Sequence, residues 1–234
     1  MRPVVDTPSE IRDSTVRGTV DLETEGAALA DRKHGHPQPG TETEVRHQDW
    51  DGRDLSGETH TRVAFAEMDM TEATNVGAVF DMCTFRDVLF NASTHTDAAF
   101  INCTFTRSNF FDATFTRCKL TGSMFDRCKF GILKVSGGEW SFVGLPGADL
   151  RSATFENVRM READLTGARL DGATVRGVDL SGAWLDRAKL SGCDLRGSDL
   201  SSVDPLTVEL NRTIIDVDQA VTLAVALGLD VRPE

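Results

Sequence analysis

Thiols and imidazoles are the side chains in this sequence with the widest chemistry, because both bind metals and thiols also form disulfides. The chain has five cysteines and five histidines. Cys83 and Cys103 are 20 residues apart, and His34 and His36 lie in a polar stretch. Neither pair has the CxxC spacing or the nearby cluster of ligands that structural metal sites use. We therefore expect no metal ligands, and free thiols are typical of a reducing cytoplasm.

The cysteines share one position in a period of five residues that runs through the chain. From Phe65 to Leu200, every residue whose number is a multiple of five is large and apolar, except Asn75 and His95. The residue two before each of these centres is small, with two exceptions. The small positions include all the cysteines: Cys83, Cys103, Cys118, Cys128 and Cys193. We predict that these thiols fill the core where alanine would otherwise stand.

A period of five matches neither the 3.6 residues of a helical turn nor the alternation of a flat strand. Each pentad is therefore predicted to be a short extended piece followed by a corner. Alternate residues of an extended piece point the same way, so the large and the small residue both point inward. Such pieces bury their faces only on neighbouring coils, which predicts an all-β solenoid.

Three pentads show the repeat in its clearest form: Ala-Asp-Leu-Thr-Gly at 163–167, Ala-Trp-Leu-Asp-Arg at 183–187 and Cys-Asp-Leu-Arg-Gly at 193–197. They resemble the A-(D/N)-L-x-x unit of the pentapeptide-repeat family, and the match covers about residues 63–200. The resemblance implies a right-handed quadrilateral β-helix with four pentads per coil. That fold implies seven to eight coils and a body roughly 34 Å long at about 4.8 Å per coil.

The two polar centres, Asn75 and His95, stand one above the other if a coil has 20 residues. Either they form a hydrogen bond inside the helix, or this side bulges outward, or they line a ligand niche. A second irregular patch, residues 133–146, keeps the register but contains Gly137, Gly138 and Trp140. There we expect a local distortion and not a site.

The sequence divides into three segments. Residues 1–48 carry proline, glycine and charges without periodicity and are predicted to form a disordered acidic arm. Residues 49–203 form the repeat solenoid. Residues 204–234 form a capping and dimerisation module with a helix at about 217–227. Asp216 is the predicted N-cap, with Gln219 three residues later, and Gly228 ends the helix.

The predicted C-terminal helix has an apolar face that must cover the last coil, pair with a second chain, or do both. Residues 203–229 are similar to the C-terminal module of quinolone-resistance pentapeptide-repeat proteins of the MfpA and Qnr type. The resemblance implies a homodimer joined through this module, and a rod that binds DNA gyrase, a type II topoisomerase, by resembling duplex DNA. The candidate dimer residues are Val221, Leu223, Ala224, Leu227 and Leu229.

Charge limits how far DNA mimicry can extend along the rod. The chain of 234 residues has a net charge of −12. Residues 61–200 contribute only −2, from 18 acidic and 16 basic residues, whereas residues 201–234 contribute −4. A duplex of the predicted length carries about 20 negative charges. We therefore expect partial mimicry, concentrated at the acidic C-terminal end.

Two classes of binding residue follow from this distribution. The acidic candidates for binding a partner are Asp199, Asp204, Asp216 and Asp218. Trp184 stands at an outward position just before Leu185 and is a candidate anchor for a general protein-binding scaffold of unknown partner. A third reading is a repeat protein whose outward surface has no defined ligand. Direct binding to nucleic acid is not expected, because the basic residues are interspersed with acidic ones.

Enzymatic function is not expected. The sequence lacks a glycine-rich phosphate loop, a nucleophile elbow and a metal-spaced cluster, so we assign no catalytic residues and no cofactor. No apolar run is long enough to cross a membrane, which favours a cytoplasmic protein. The function indicated is a gyrase-directed interaction protein that protects against quinolone-like topoisomerase poisons.

Overall fold

The computed structural model describes residues 37–232. The strands in chain order are β1 (Thr43–Arg46), β2 (Thr59–Thr61), β3 (Val63–Ala66), β4 (Thr74–Val76), β5 (Val79–Asp81), β6 (Thr84–Arg86), β7 (Thr94–Thr96), β8 (Ala99–Ile101), β9 (Thr104–Thr106), β10 (Thr114–Thr116), β11 (Met124–Asp126), β12 (Lys134–Ser136), β13 (Thr154–Glu156) and β14 (Thr174–Arg176). A single helix, α1 (Val217–Ala226), follows them.

The strands stack into parallel sheets on the sides of a square coil. Face 1 carries β1, β3, β6, β9 and β11; face 3 carries β4, β7, β10, β12, β13 and β14; face 4 carries β2, β5 and β8. Face 2 is joined by single bridges such as Asp69 to Leu89. Paired residues are 20 apart, as Phe65 and Phe85 are in β3 and β6. The fold is the predicted one, a parallel β-solenoid of about seven turns with a short C-terminal helix.

The large central residues form ladders inside the coil. On face 1 the rings of Phe85 and Phe105 stack with centroids 4.8 Å apart, and Phe105 and Phe125 follow at 4.7 Å. Burying each ring stabilises the fold by about 1.5–3 kcal/mol, and each stacked pair adds about 0.5–1.5 kcal/mol. In the C-terminal half leucines replace the rings, and the gap that they enclose measures only ≈ 10 Å³. That is about the minimum for one water molecule, so this part of the core has no room for a ligand.

The corners repeat one backbone conformation. The second residue after most centres has a positive φ, whether it is Glu72 at 53°, Ile132 at 49° or Gly172 at 72°. This left-handed region costs a residue with a Cβ roughly 1–2 kcal/mol relative to glycine. The conformation is needed because it turns the chain so that the corner N–H reaches the next coil, as Gly172 N–H does to the Ser191 carbonyl at 2.9 Å.

The solenoid begins earlier than residue 49, the start that the sequence predicts. β1 lies within the segment assigned to the disordered arm, yet Thr43–Arg46 pairs in register with Val63–Ala66. That prediction is therefore wrong for these residues. The rest of the predicted arm, residues 1–36, lies outside the described residues.

The five-residue repeat is hard to recognise in the sequence of the first coil, because large polar residues occupy the positions that are small elsewhere. Arg53 and Glu58 stand two residues before the centres Leu55 and His60. The Arg53 guanidinium donates to Glu58 Oε1 at 2.8 Å and lies 4.1 Å from the centroid of the Trp50 ring. His60 in turn stacks on Phe80 at 5.0 Å. The Arg53–Glu58 ion pair and the rings of Trp50 and His60 thus cover the N-terminal end of the aromatic ladders.

The polar pair Asn75 and His95 hydrogen-bonds inside the coil, which confirms the first of the three alternatives. The Asn75 amide donates to His95 Nδ1 at 3.3 Å, and His95 Nε2 is 3.0 Å from Ser93 Oγ. Ser93 Oγ donates to the Phe90 carbonyl at 2.8 Å. Because an amide nitrogen only donates, the imidazole carries its proton on Nε2. His95 also stacks on Phe115 at 4.5 Å, so it continues the ladder as a neutral ring.

The irregular patch at 133–146 keeps its register, since β12 pairs with both β10 and β13. Gly138 has φ 98°, and a Cβ there would overlap the Cys118 carbonyl. The chain is therefore drawn inward at a small position that has no side chain. Trp140 is buried next to it, and its Nε1 has no hydrogen-bond partner among the described residues. This is the local distortion that the sequence predicts.

The left-handed corner predicts a purely conformational cost for Gly172→Ala. A Cβ at Gly172 would meet nothing within 4 Å, so only its φ of 72° opposes the substitution. We expect the free energy of unfolding to fall by about 1–2 kcal/mol. Denaturant unfolding measures it, with Gly40→Ala as control, because Gly40 also has open space but lacks the positive φ. Equal effects of the two substitutions would contradict this account of the corner.

The buried imidazole predicts a pH dependence of stability. Burial lowers the pKa of His95 from 6.5 to about 3. Below pH 6.5 the unfolded chain binds a proton that the folded chain does not, so this contribution is complete above pH 6.5 and is lost as the pH falls towards 3. The free energy of unfolding should fall by about 1.4 kcal/mol per pH unit in that window beyond what the carboxylates contribute.

The variant His95→Phe should lack this extra slope, because phenylalanine continues the stack on Phe115 without titrating. Urea unfolding at a series of pH values compares it with the wild type. Phe115→Leu is the control, since it weakens the same stack and leaves His95 in place. An unchanged slope in His95→Phe would show that His95 does not titrate on unfolding.

Candidate interaction surfaces

The five thiols are free and belong to the core. Burial raises the pKa of Cys118 to about 11 and that of Cys128 and of Cys193 to about 12. Cys83 and Cys103 stack on adjacent coils, where a hydrogen bond with Cys103 lowers the pKa of Cys83 and burial raises that of Cys103. No group of three His, Cys, Asp or Glu residues between 37 and 232 is placed to hold a metal ion.

The aspartate that precedes many centres is part of its own turn. Asp164 Oδ1 accepts a hydrogen bond from the Thr166 N–H at 3.0 Å. Asp199 and Asp204, two of the predicted partner-binding residues, accept the N–H two residues later in the same way, at 2.8 Å and 2.9 Å. One carboxylate oxygen therefore stabilises the turn. The aspartates of the repeat thus have a structural role in addition to the negative charge that they carry.

Ion pairs between adjacent coils neutralise much of the remaining acid. Arg107 forms a two-pronged pair with Asp87 at 2.5 and 2.7 Å, and Arg117 forms one with Asp97 at 2.6 and 2.8 Å. These guanidinium groups lower the pKa of both aspartates. Further pairs between coils join Glu42 to Arg62, Asp112 to Lys134, Glu139 to Arg159 and Glu209 to Lys189. Solvent screens such exposed pairs, so they matter for the surface potential more than for stability.

The C-terminal helix is tied to the end of the solenoid by its first turn. Asp216 caps it by accepting the Gln219 N–H at 3.0 Å, and Gln219 Oε1 accepts the Asp216 N–H at 2.8 Å. Asp216 Oδ2 also accepts the Gly197 N–H at 3.0 Å. Backbone hydrogen bonds from Gln219 and Gly197 lower the pKa of Asp216. The predicted partner-binding role of Asp216 therefore coincides with a capping role.

The buried side of the helix is partly polar. Gln219 Nε2 donates to the Leu195 carbonyl at 2.6 Å and to the Ser198 carbonyl at 2.7 Å, which closes the last coil. Leu223 packs against the core one turn later. Leu223, one of the predicted dimer residues, therefore faces its own solenoid.

The opposite side of the helix is an apolar stripe in solvent. Val217, Val221 and Val225 follow one another at four-residue spacing and are 79, 42 and 57% exposed. Leu227 and Leu229 continue it at 51 and 60%. We call these five residues the C-terminal apolar stripe. Three of them are predicted dimer residues, and the sequence analysis omits Val217 and Val225, although their spacing was readable.

The acidic candidates do not share one face. Asp199 lies at the outward position of face 4, Asp204 on the side of face 1, and Asp216 and Asp218 at the start of the helix after face 3. They surround the C-terminal end of the rod.

Trp184 is one of the residues that line a groove on face 1. The Trp184 side chain is half-buried. Backbone bridges join Met124 to Gly144, Gly144 to Asp164 and Asp164 to Trp184 on successive coils. The groove measures ≈ 470 Å³ and is lined by Asn102, Thr121, Gly122, Met124, Phe142, Val143, Gly144, Glu162, Asp164 and Trp184. Sequence reasoning finds only Trp184. Phe142 had a readable signal, because a phenylalanine at a corner and not at a centre points outward.

Within the described part of the chain, no helix is both long and apolar enough to cross a membrane.

Models of the pentapeptide repeats match the central and C-terminal coils. One, described as a pentapeptide repeat region, matches residues 108–185, and another, of eight pentapeptide repeats, matches residues 176–204. No curated protein sequence matches the chain.

Similar solved structures include a trypsin-treated variant of QnrB1, a plasmid-mediated fluoroquinolone resistance protein. It is 20% identical, covers 82% of this chain and 99% of its own, and has a TM-score of 0.62. Full-length QnrB1 is 18% identical over 80% of this chain and all of its own, with a TM-score of 0.46. HetL, from the cyanobacterium Nostoc, is 18% identical over 78% of this chain and 90% of its own, with a TM-score of 0.36. Residues 108–204 therefore match the pentapeptide-repeat family models, and the square coil is the fold of the trypsin-treated QnrB1 variant.

Proposed function

We propose that this chain is a non-enzymatic interaction protein that forms a homodimer through its C-terminal module and binds DNA gyrase through the acidic end of the rod. In this role it protects the enzyme against quinolone-like poisons. The observation that carries the proposal is the C-terminal apolar stripe, which stands in solvent beside a group of carboxylates.

The dimer part of the proposal rests on exposed apolar area. Val217, Val221 and Val225 are one side of a helix whose other side is already engaged by Gln219 and Leu223. A two-fold axis through this stripe lets each helix cover the other with the same residues. The stripe then leaves water, which is the expected fate of a contiguous apolar patch on a folded protein.

The gyrase part rests on charge and on the resemblance of residues 203–229 to the quinolone-resistance proteins. Residues 201–234 hold six acidic and two basic residues, and a dimer doubles that concentration at the junction. An acidic patch of this kind attracts a surface that otherwise binds duplex DNA. QnrB1, a fluoroquinolone resistance protein, has the same fold. The coils away from the junction serve as a spacer, because several of their carboxylates are paired with arginines or lysines of neighbouring coils, as Asp87 is with Arg107 and Asp112 with Lys134.

If the chain forms this dimer, two matched substitutions should affect its oligomeric state differently. Val225→Asp places a charge in the stripe, and we expect a protein that is monomeric at micromolar concentration. Val76→Asp is the control, because Val76 is 56% exposed, nearly the same as Val225, but lies at the end of β4 in the solenoid. Size-exclusion chromatography with light scattering measures both masses. A wild-type monomer, or a Val225→Asp dimer, would remove the dimer from the proposal.

The gyrase proposal predicts an effect on supercoiling. The wild-type protein at micromolar concentration should inhibit supercoiling or relieve cleavage induced by ciprofloxacin. Asp204→Asn combined with Asp218→Asn should weaken the effect about tenfold by removing charge from the acidic end, while the asparagine at position 204 can still accept the Leu206 N–H.

Asp171→Asn is the control for that experiment, since it removes one carboxylate from the corner between faces 2 and 3, away from the helix. It should leave the effect unchanged. No effect of the wild-type protein at tens of micromolar would rule out the gyrase proposal.

A second function, a scaffold for a partner other than a topoisomerase, is favoured by one specific observation. The groove around Trp184 combines two aromatic walls with two carboxylates on face 1. Such a surface is suited to a protein partner and not to competition with DNA.

A further inference from the structure

The groove on face 1 exists because Gly144 has no side chain at the floor of the groove. Gly144 stands at an outward position where neighbouring coils carry Met124 and Asp164. A Cβ on Gly144 would overlap the Met124 thioether and methyl group, so the methionine lies across the glycine and is only 2% exposed although its position is outward. Methionine is flexible and polarisable, which makes this floor adaptable to a ligand.

The walls of the groove are aromatic. Phe142 is a corner residue with φ 61°, and that backbone conformation directs its ring away from the core, leaving it 49% exposed. Trp184 forms part of the lining two coils further along. Partly exposed aromatic side chains beside a recess are the type of residue that dominates binding energy in protein interfaces.

The groove also contains two carboxylates that form no ion pair with a basic residue of the solenoid. Glu162 and Asp164 form no ion pair with any described base, whereas Glu139 and Asp179 on face 4 pair with Arg159 and Arg161 at 3.0 and 2.5 Å. Asp164 is only 7% exposed and uses one oxygen for its own turn. A partly buried carboxylate without a cation makes the recess a site of negative potential.

From this charge and shape we propose that the groove binds an arginine or lysine side chain presented by an extended segment of a partner protein with apolar residues on either side. The cation meets Glu162 and Asp164 and lies against an aromatic ring. The apolar neighbours cover Phe142 and Met124. Face 1 is paired with neighbouring coils along the groove, so recognition occurs through side chains and not by adding a strand.

This site is independent of the gyrase proposal. It lies on the coils of residues 102–184 and uses none of the C-terminal apolar stripe. Peptide binding is measured on the full-length protein without any topoisomerase, so either proposal can fail while the other stands.

The probe is a phage-displayed library of random 12-residue peptides, selected on the immobilised full-length protein. We expect the selected peptides to carry arginine or lysine between apolar residues. A representative synthetic peptide is then labelled, and its affinity is measured by fluorescence polarisation for the wild type and for three variants.

Two variants act on the groove by different means. Glu162→Gln removes one charge, and Gly144→Ala forces Met124 out into the recess while its backbone φ stays in the ordinary region. We expect each to weaken binding at least tenfold. Glu156→Gln, which removes an exposed carboxylate from the corner between faces 3 and 4, should leave binding unchanged, and thermal unfolding should show all three variants folded.

Three results would overturn the inference. The first is a selection that yields no binding peptide, and the second is a set of peptides without basic residues. The third is an affinity that the two groove variants leave unchanged or that Glu156→Gln lowers equally.

Discussion

Backbone pairing between coils fixes every residue above the one 20 positions earlier, and the rest of the molecule depends on this register. Because the pairing is parallel and continuous, like side chains must stack on like, and only shapes that tolerate a spacing of about 4.8 Å can fill the interior. Flat rings meet that requirement, as the ladder through Phe85, Phe105 and Phe125 shows. A buried polar residue also needs a hydrogen-bond partner, which Asn75 and His95 provide for each other within one stack.

The same register determines what the outer surface is able to do. A carboxylate at an outward position of the rod pairs in several places with a cation one coil away, as Asp87 does with Arg107, or accepts an N–H of its own turn, as Asp164 does. The surface potential of the middle coils is therefore weak although the whole chain is acidic. Binding capacity is left where the coils end and where an outward side chain is missing, although the backbone register at the missing side chain is kept. The C-terminal end of the coils gives the apolar stripe, and the absent side chain of Gly144 gives the groove.

Sequence periodicity predicts the interior because each position there has one requirement, either large and apolar or small. It also predicts that Asn75 and His95 stand one above the other, since their separation equals one coil, but it leaves open whether they form a hydrogen bond. It does not predict β1, because Arg53 and Glu58 replace the small residues and pair with each other at the open end. The direction of the helix depends on Gln219 reaching the Leu195 and Ser198 carbonyls, which is a tertiary contact with no local signal. The groove depends on where the Met124 side chain lies, which sequence spacing does not specify.

We propose that the acidic end of this rod occupies a surface of gyrase that otherwise holds DNA. In a competition experiment, immobilised gyrase is saturated with the full-length protein, and a linear DNA duplex is added in increasing amounts. We expect the duplex to displace the protein. A stable ternary complex, or no binding of the protein at tens of micromolar, would contradict it.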